Sequence, residues 1–150
     1  MIDHAEKARA LFLQGYNCAQ AVACAFGDVT GLDGELTARM TSSFGGGLAR
    51  LREVCGTVSG AALVLGIVRG YSDPADQDAK KAHYARVQEF ARRFREQNGS
   101  IICRELLNGT DTVPGLVPEA RTAEYYKKRP CPELVYCAAK ILEEMLGEER

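Results

Sequence analysis

Cysteine is the residue type in this chain best equipped for chemistry, and four of its six cysteines stand where a helix should begin. Cys18 follows Asn17, and Gln20 completes an N-x-x-Q pattern close to a capping box. Cys55 opens the run Cys55-Gly56-Thr57-Val58-Ser59-Gly60, just after Gly45-Gly46-Gly47. Cys103 comes four residues after Gly99 and starts the stretch Cys103-Arg104-Glu105-Leu106-Leu107. Cys131 precedes Pro132 and reads as an N-cap with proline at the first helical position. Helix N-termini carry free N–H groups and partial positive charge, which favour a thiolate over a thiol. Redox exchange and metal binding both use thiolates.

Local charge points the same way. Arg50 and Arg52 precede Cys55, Arg104 follows Cys103, and Lys127-Lys128-Arg129 lie before Cys131. Cations beside a thiol lower its pKa and offset clustered negative charge. Spacing between the four cysteines is wide and there is no CxxC, which argues against a zinc finger, a thioredoxin motif or a ferredoxin run. If the four meet, tertiary folding brings them together from four helix starts. Cys24 and Cys137 lie inside apolar helical patterns, six residues beyond a helix-start cysteine, and read as small core residues. His4 and His83, the only histidines, read as surface groups. No Ser/His/Asp set, phosphate-binding glycine loop or carboxylate pair competes; Asp73, Asp76 and Asp78 read as charges at a helix N-terminus.

At 150 residues, with 46% hydrophobic and 26% charged residues, the chain has the size and composition of one soluble globular domain. A net charge of −1 argues against nucleic acid as a partner. The longest apolar run, Ala61 to Val68, is too short to span a bilayer, and the N-terminus lacks a signal peptide's layout. A cytoplasmic location follows as the expectation. In a reducing compartment six cysteines point to metal or redox work instead of a disulfide framework.

The elements that must position these cysteines are helices: the expected fold is all-α, a single domain over residues 1–150 with about six to seven helices. The patterns give helices over about Asp3–Gln14, Asn17–Gly27, Glu35–Phe44, Glu53–Arg69, Pro74–Gln97, a short one from Cys103, and Pro132–Leu146. The segment Val54–Val68 is nearly uncharged and is expected to be the most buried helix. Its Gly56, Gly60, Gly66 and Gly70 imply close packing or clearance for a cofactor, since each costs about 1 kcal/mol against Ala. Tyr84, Val87, Phe90, Ala91 and Phe94 form one buried stripe on a helix whose charged face is solvated. Asn108 to Pro118, with Pro114-Gly115, reads as a loop.

Taken together, Gly15-Tyr16-Asn17-Cys18-Ala19-Gln20, Cys55-Gly56-Thr57-Val58-Ser59-Gly60, Cys103-Arg104-Glu105-Leu106-Leu107 and Cys131-Pro132 resemble, in order, the motifs of the C_GCAxxG_C_C family of redox-active proteins. Thr57 stands where that family usually has alanine, and Asn108 where its third motif usually ends in glycine. The family is also similar to the N-terminal part of split-Soret cytochromes, where an iron–sulfur centre has been inferred. That resemblance implies an iron–sulfur cluster held by Cys18, Cys55, Cys103 and Cys131 for electron transfer. Haem is not expected, because no C-x-x-C-H motif exists. Two alternatives stand beside it: a metal-free thiol–disulfide redox protein, and a structural zinc site in an interaction module. The partner would be a redox protein, with a homodimer also open.

Overall fold

A computed structural model describes residues 2–108 and 115–148; part of the expected 108–118 loop, including Pro114, lies outside the described residues. The described chain is helical: α1 (His4–Leu13), α2 (Cys18–Cys24), α3 (Gly27–Thr30), α4 (Gly34–Thr41), α5 (Gly56–Arg69), α6 (Gln77–Asn98), α7 (Cys103–Leu107), α8 (Ala123–Lys128) and α9 (Cys131–Glu148), with a 3₁₀ turn at Ser42–Phe44. Six of these helices match the longer patterns read from the sequence. The four-residue α3 and six-residue α8 are too short for a periodic signal and add to the expected number.

The centre of the bundle is α2, packed against α1, α4, α5 and α9. Its Ala19, Ala21, Val22 and Ala23 are all fully buried, and small side chains let neighbouring backbones come close. The closest approach is from α5. A Cβ at Gly60 would stand 2.6 Å from the Ala19 carbonyl, and one at Gly56 would run into the Cys18 sulfur and the Phe44 carbonyl. These two glycines are therefore packing requirements. Gly66 faces open space, so that explanation does not extend to it.

Helix α5 is a core helix, but the segment Val54–Val68 is not buried throughout. Val58, Ala61, Val64 and Leu65 enter the core, while Ile67 is 38% exposed, as is Val54 just ahead of the helix. Lack of charge does not by itself mean burial, because much of any folded surface is apolar. Helix α9 supplies the opposite wall with Leu134, Val135, Ala138, Ile141, Leu142 and Met145.

Helix α6 begins three residues later than its Asp-Pro signal suggests. Asp76 is the N-cap, accepting from the Ala79 N–H, whereas Asp73 accepts from Ala75 in the preceding turn. Of the expected stripe, Phe90 and Phe94 are buried, Val87 and Ala91 are half-buried, and Tyr84 is exposed. The helix thus docks by its C-terminal half. Its charged face is laced by Arg92 with Glu89 and Glu96, and by Arg93 with Glu89 and Glu148.

His4 is not a surface group. It is buried, stacks on Phe26 at 4.3 Å, and contacts Asp28 at 3.0 Å and Glu143 at 2.7 Å, tying α1 to α3 and α9. A lone sequence position cannot show two carboxylates supplied by distant helices.

Candidate functional site

Cys18, Cys55, Cys103 and Cys131 all line one cavity of about 80 Å³ at one end of the bundle; Cys24 and Cys137 do not. A void of roughly 10–15 Å³ holds one water, so this one admits a body of several heavy atoms. Each cysteine arrives by a different device.

Cys18 is the first residue of α2, and its place is set by a reciprocal capping box. The Asn17 side chain accepts from Gln20 N–H at 2.8 Å, and the Gln20 side chain accepts from Asn17 N–H at 3.0 Å. Cys55 is the N-cap of α5 and only 5% exposed. The next segment to deliver a thiol, at the start of α7, is paired to the chain around Cys55. Cys55 N–H donates to Ile101 C=O at 2.8 Å, Cys103 N–H donates to Glu53 C=O at 2.6 Å, and Val54 opposes Ile102 in an antiparallel bridge. This pairing fixes Cys55 beside Cys103, and no helical period announces it. Cys131 starts α9 itself, one residue ahead of the expected N-cap arrangement.

The triple glycine completes the wall by close approach. A Cβ at Gly45 would meet the Asn17 side chain at 2.7 Å, and one at Gly47 would meet the Cys103 Cβ at 2.7 Å. From there the backbone runs left-handed: Gly46, Gly47, Leu48, Ala49, Arg50 and Arg52 all have positive φ. That region is unfavourable for residues with a side chain and tends to occur where function requires it.

The electrostatics reverse one expectation. Burial pushes the Cys18 thiol up, although the N–H groups of Gly46, Ala19 and Cys18 itself face the sulfur. Burial raises Cys55 strongly, with the Cys18 sulfur adding to it and the Thr57 hydroxyl, 3.1 Å away, opposing. Cys131 is pushed up to about 12 by burial, then by Cys18 and Cys103, against Arg129 and Arg121. In the metal-free protein these three groups are thiols. Loss of hydration outweighs helix ends and nearby cations.

Several of the expected cations are turned elsewhere. Arg104 pairs with Glu53 at 3.2 Å, and Lys128 with Glu124 at 3.1 Å. Arg52 does reach a sulfur, with its Nη1 3.9 Å from Cys103 Sγ, and buried Arg129 lines the cavity. Arg121 lines it too, 4.1 Å over the Phe12 ring, and no local pattern near a cysteine marks it.

Chemically the cavity offers four soft sulfur donors from four segments. Among the described residues, no group of three or more His, Cys, Asp or Glu side chains is placed to hold a metal ion; the four thiols share the lining of one cavity. Fold and site define a class: a helical protein with a four-cysteine cavity backed by arginines. Residues 16–145 match the family described as "Putative redox-active protein (C_GCAxxG_C_C)", and the chain belongs to that family. No curated protein and no solved structure matches it. Among the described residues, no helix is long and apolar enough to cross a membrane.

Proposed function

We propose that the chain is a redox protein of one domain whose Cys18, Cys55, Cys103 and Cys131 hold an iron–sulfur cluster for electron transfer. The observation that carries this is the convergence of four cysteines on one cavity, where burial holds Cys18, Cys55 and Cys131 as thiols. A protonated thiol is a poor nucleophile, so thiol–disulfide exchange at neutral pH is badly served. A soft metal changes the balance, because a coordinating thiol is deprotonated outright. Thiolates also select iron–sulfur clusters, zinc or Cu(I) over hard ions.

The redox description of the family favours a cluster over zinc, because zinc carries no redox chemistry. When bound, such a cluster supplies one-electron redox chemistry. The chain's residues exclude water with Phe12, Leu107 and Leu134, direct the Gly46 N–H and Thr57 hydroxyl at sulfurs, and offset negative charge with Arg52, Arg121 and Arg129. The same reading places the protein in the cytoplasm with a redox partner of its own.

Anaerobic reconstitution with iron and sulfide tests this. Expected is a visible charge-transfer spectrum with iron and sulfide bound, lost on oxidation in air. Tight zinc binding without iron or sulfide uptake would replace it by the structural zinc reading. Rapid disulfide cycling of the metal-free protein would favour the thiol–disulfide reading.

A further inference from the structure

The cysteine cavity has two kinds of wall. Cys18 and Cys55 belong to α2 and α5, whose Ala19, Val22, Ala61 and Val64 are fully buried. A second wall is the segment 115–130, which contributes Arg121, Tyr125 and Arg129 to the lining and leads directly into Cys131. Of its residues Arg129 alone is buried, and Leu116 and Val117 are 93% and 78% exposed. Tyr125 and Tyr126, both partly buried, give it an apolar foothold on the core.

Guanidiniums fasten this segment to the bundle. Arg50 donates to the Gly115 carbonyl at 2.8 Å and to that of Val117 at 2.5 Å, and Arg121 donates to the carbonyls of Phe12 and Tyr16. Glu119 Oε1 lies 2.6 Å from Arg129, within the segment, and 3.3 Å and 3.8 Å from Arg50 and Arg52 on the bundle side. Arg50 and Arg52 are themselves set by the left-handed stretch, where their N–H groups donate to the carbonyls of Gly45 and Gly46. The anchor is thus fixed, while the segment it holds is lightly packed. Segments that bury little apolar surface open at a lower free energy than the core around them. Cys55 is only 5% exposed, so anything that reaches its sulfur needs the cavity opened.

We propose that the segment 115–130 is an opening cover over the cysteine cavity, latched by Glu119 to Arg50 and Arg52, and that its opening admits what the cysteines bind. That iron and sulfide enter this way rests on the proposed cluster; the opening itself does not. The test is alkylation of the reduced, metal-free protein by iodoacetamide at fixed pH, with each cysteine followed by peptide mass spectrometry. Cys55 should react through local opening, so its rate should respond only weakly to low concentrations of urea. Reaction through global unfolding would carry the steep urea dependence of the equilibrium transition. Glu119→Gln and Arg50→Gln each weaken the latch and should each speed Cys55 about tenfold or more, the effect of losing a charge-assisted hydrogen bond. Cys137, outside the cavity, should keep its rate. The two substitutions remove charges of opposite sign, so a purely electrostatic influence would move Cys55 in opposite directions.

Opposite shifts in the two variants, or an unchanged Cys55 rate in either, would overturn the proposal. So would a Cys55 rate in the parent protein that follows global unfolding in urea. If the variants do not fold, judged by circular dichroism, the urea dependence of the parent protein decides alone. Iron uptake by the same proteins is measured separately: a cover that opens in a protein that takes up no iron leaves this proposal standing and removes the cluster.

Discussion

The two cysteines outside the cavity sit within or at the end of helices, where the four that line it sit at helix starts. Cys137 is half-buried on α9, donates to Gln97 Oε1 at 3.1 Å and accepts from Asn98. Cys24, also half-buried, closes α2 near the Gly34 carbonyl. Neither is the fully buried core residue that its apolar neighbours suggest. Burial raises both thiols, opposed by Asn98 and Lys7 respectively, and no other sulfur contributes. In the cavity, by contrast, sulfurs act on sulfurs: Cys103 raises Cys18, and Cys18 and Cys103 together raise Cys55 and Cys131. Side chains of one chemistry thus behave singly in one region and collectively in the other. A cation in the cavity would turn that mutual opposition into shared attraction.

The largest expected effect separates the two regions directly. Cys55→Ser should abolish cofactor uptake while leaving helix content nearly intact, and Cys24→Ser should be close to silent. Iron, sulfide and visible absorbance after anaerobic reconstitution, with far-UV circular dichroism, provide the readout. Equal loss in both variants would erase the distinction.

Packing offers a second break. Gly56→Ala drives a methyl group into the Cys18 sulfur and the Phe44 carbonyl. Overpacking of this kind costs about 1–3 kcal/mol and should displace Cys18 as well. Gly66→Ala meets open space in the same helix and should stabilise by up to about 1 kcal/mol. Urea unfolding of the two variants gives the sign; the same sign in both would show that the α2–α5 contact is looser than described.

How much of this was legible in the residues differs by device. The capping box at Asn17 and Gln20 is local, so it could be read, and all four cavity cysteines could be named from their helix starts. Gly56 and Gly60 could be flagged as unusual, though not assigned a neighbour. The Val54–Ile102 pairing joins residues far apart in sequence and leaves no period. The protonation of the thiols could not be read either: helix ends and cations are visible in sequence, but the desolvation that outweighs them belongs to the tertiary structure. Arg121 was missed for the same reason, since it reaches the cavity by packing on Phe12 and Tyr125.

Protonation leads to a third prediction, on the metal-free protein. The Cys131 thiol moves from 9.0 to about 12 on folding. Between those values the unfolded chain has released a proton that the folded chain retains. The contribution is therefore fully present below pH 9 and is lost as pH rises toward 12, at about 1.4 kcal/mol per pH unit for this site. Urea unfolding between pH 8 and 10.5 should show that decline, and Cys131→Ala should make it shallower. A pH-independent midpoint in the parent protein would mean that the cavity is wetter than its lining implies.

The smallest effect concerns Thr57, the residue that departs from the family's usual alanine. Its hydroxyl is buried, 1% exposed, and lies 3.1 Å from Cys55 Sγ, where it favours the thiolate. Thr57→Val keeps the shape and removes the hydroxyl. Losing one such hydrogen bond costs about 0.5–1.5 kcal/mol, so the fold should survive. In the metal-free protein, Cys55 should react more slowly with an alkylating agent at high pH, and Cys137 should keep its rate, having no threonine beside it. In the reconstituted protein a donor to sulfur stabilises the more negative, reduced form, so its removal should lower the reduction potential. A lowered potential with unchanged Cys137 reactivity would assign the effect to the cavity. Equal slowing at both cysteines would trace it to general tightening of the fold, and Thr57 would then be only a larger alanine.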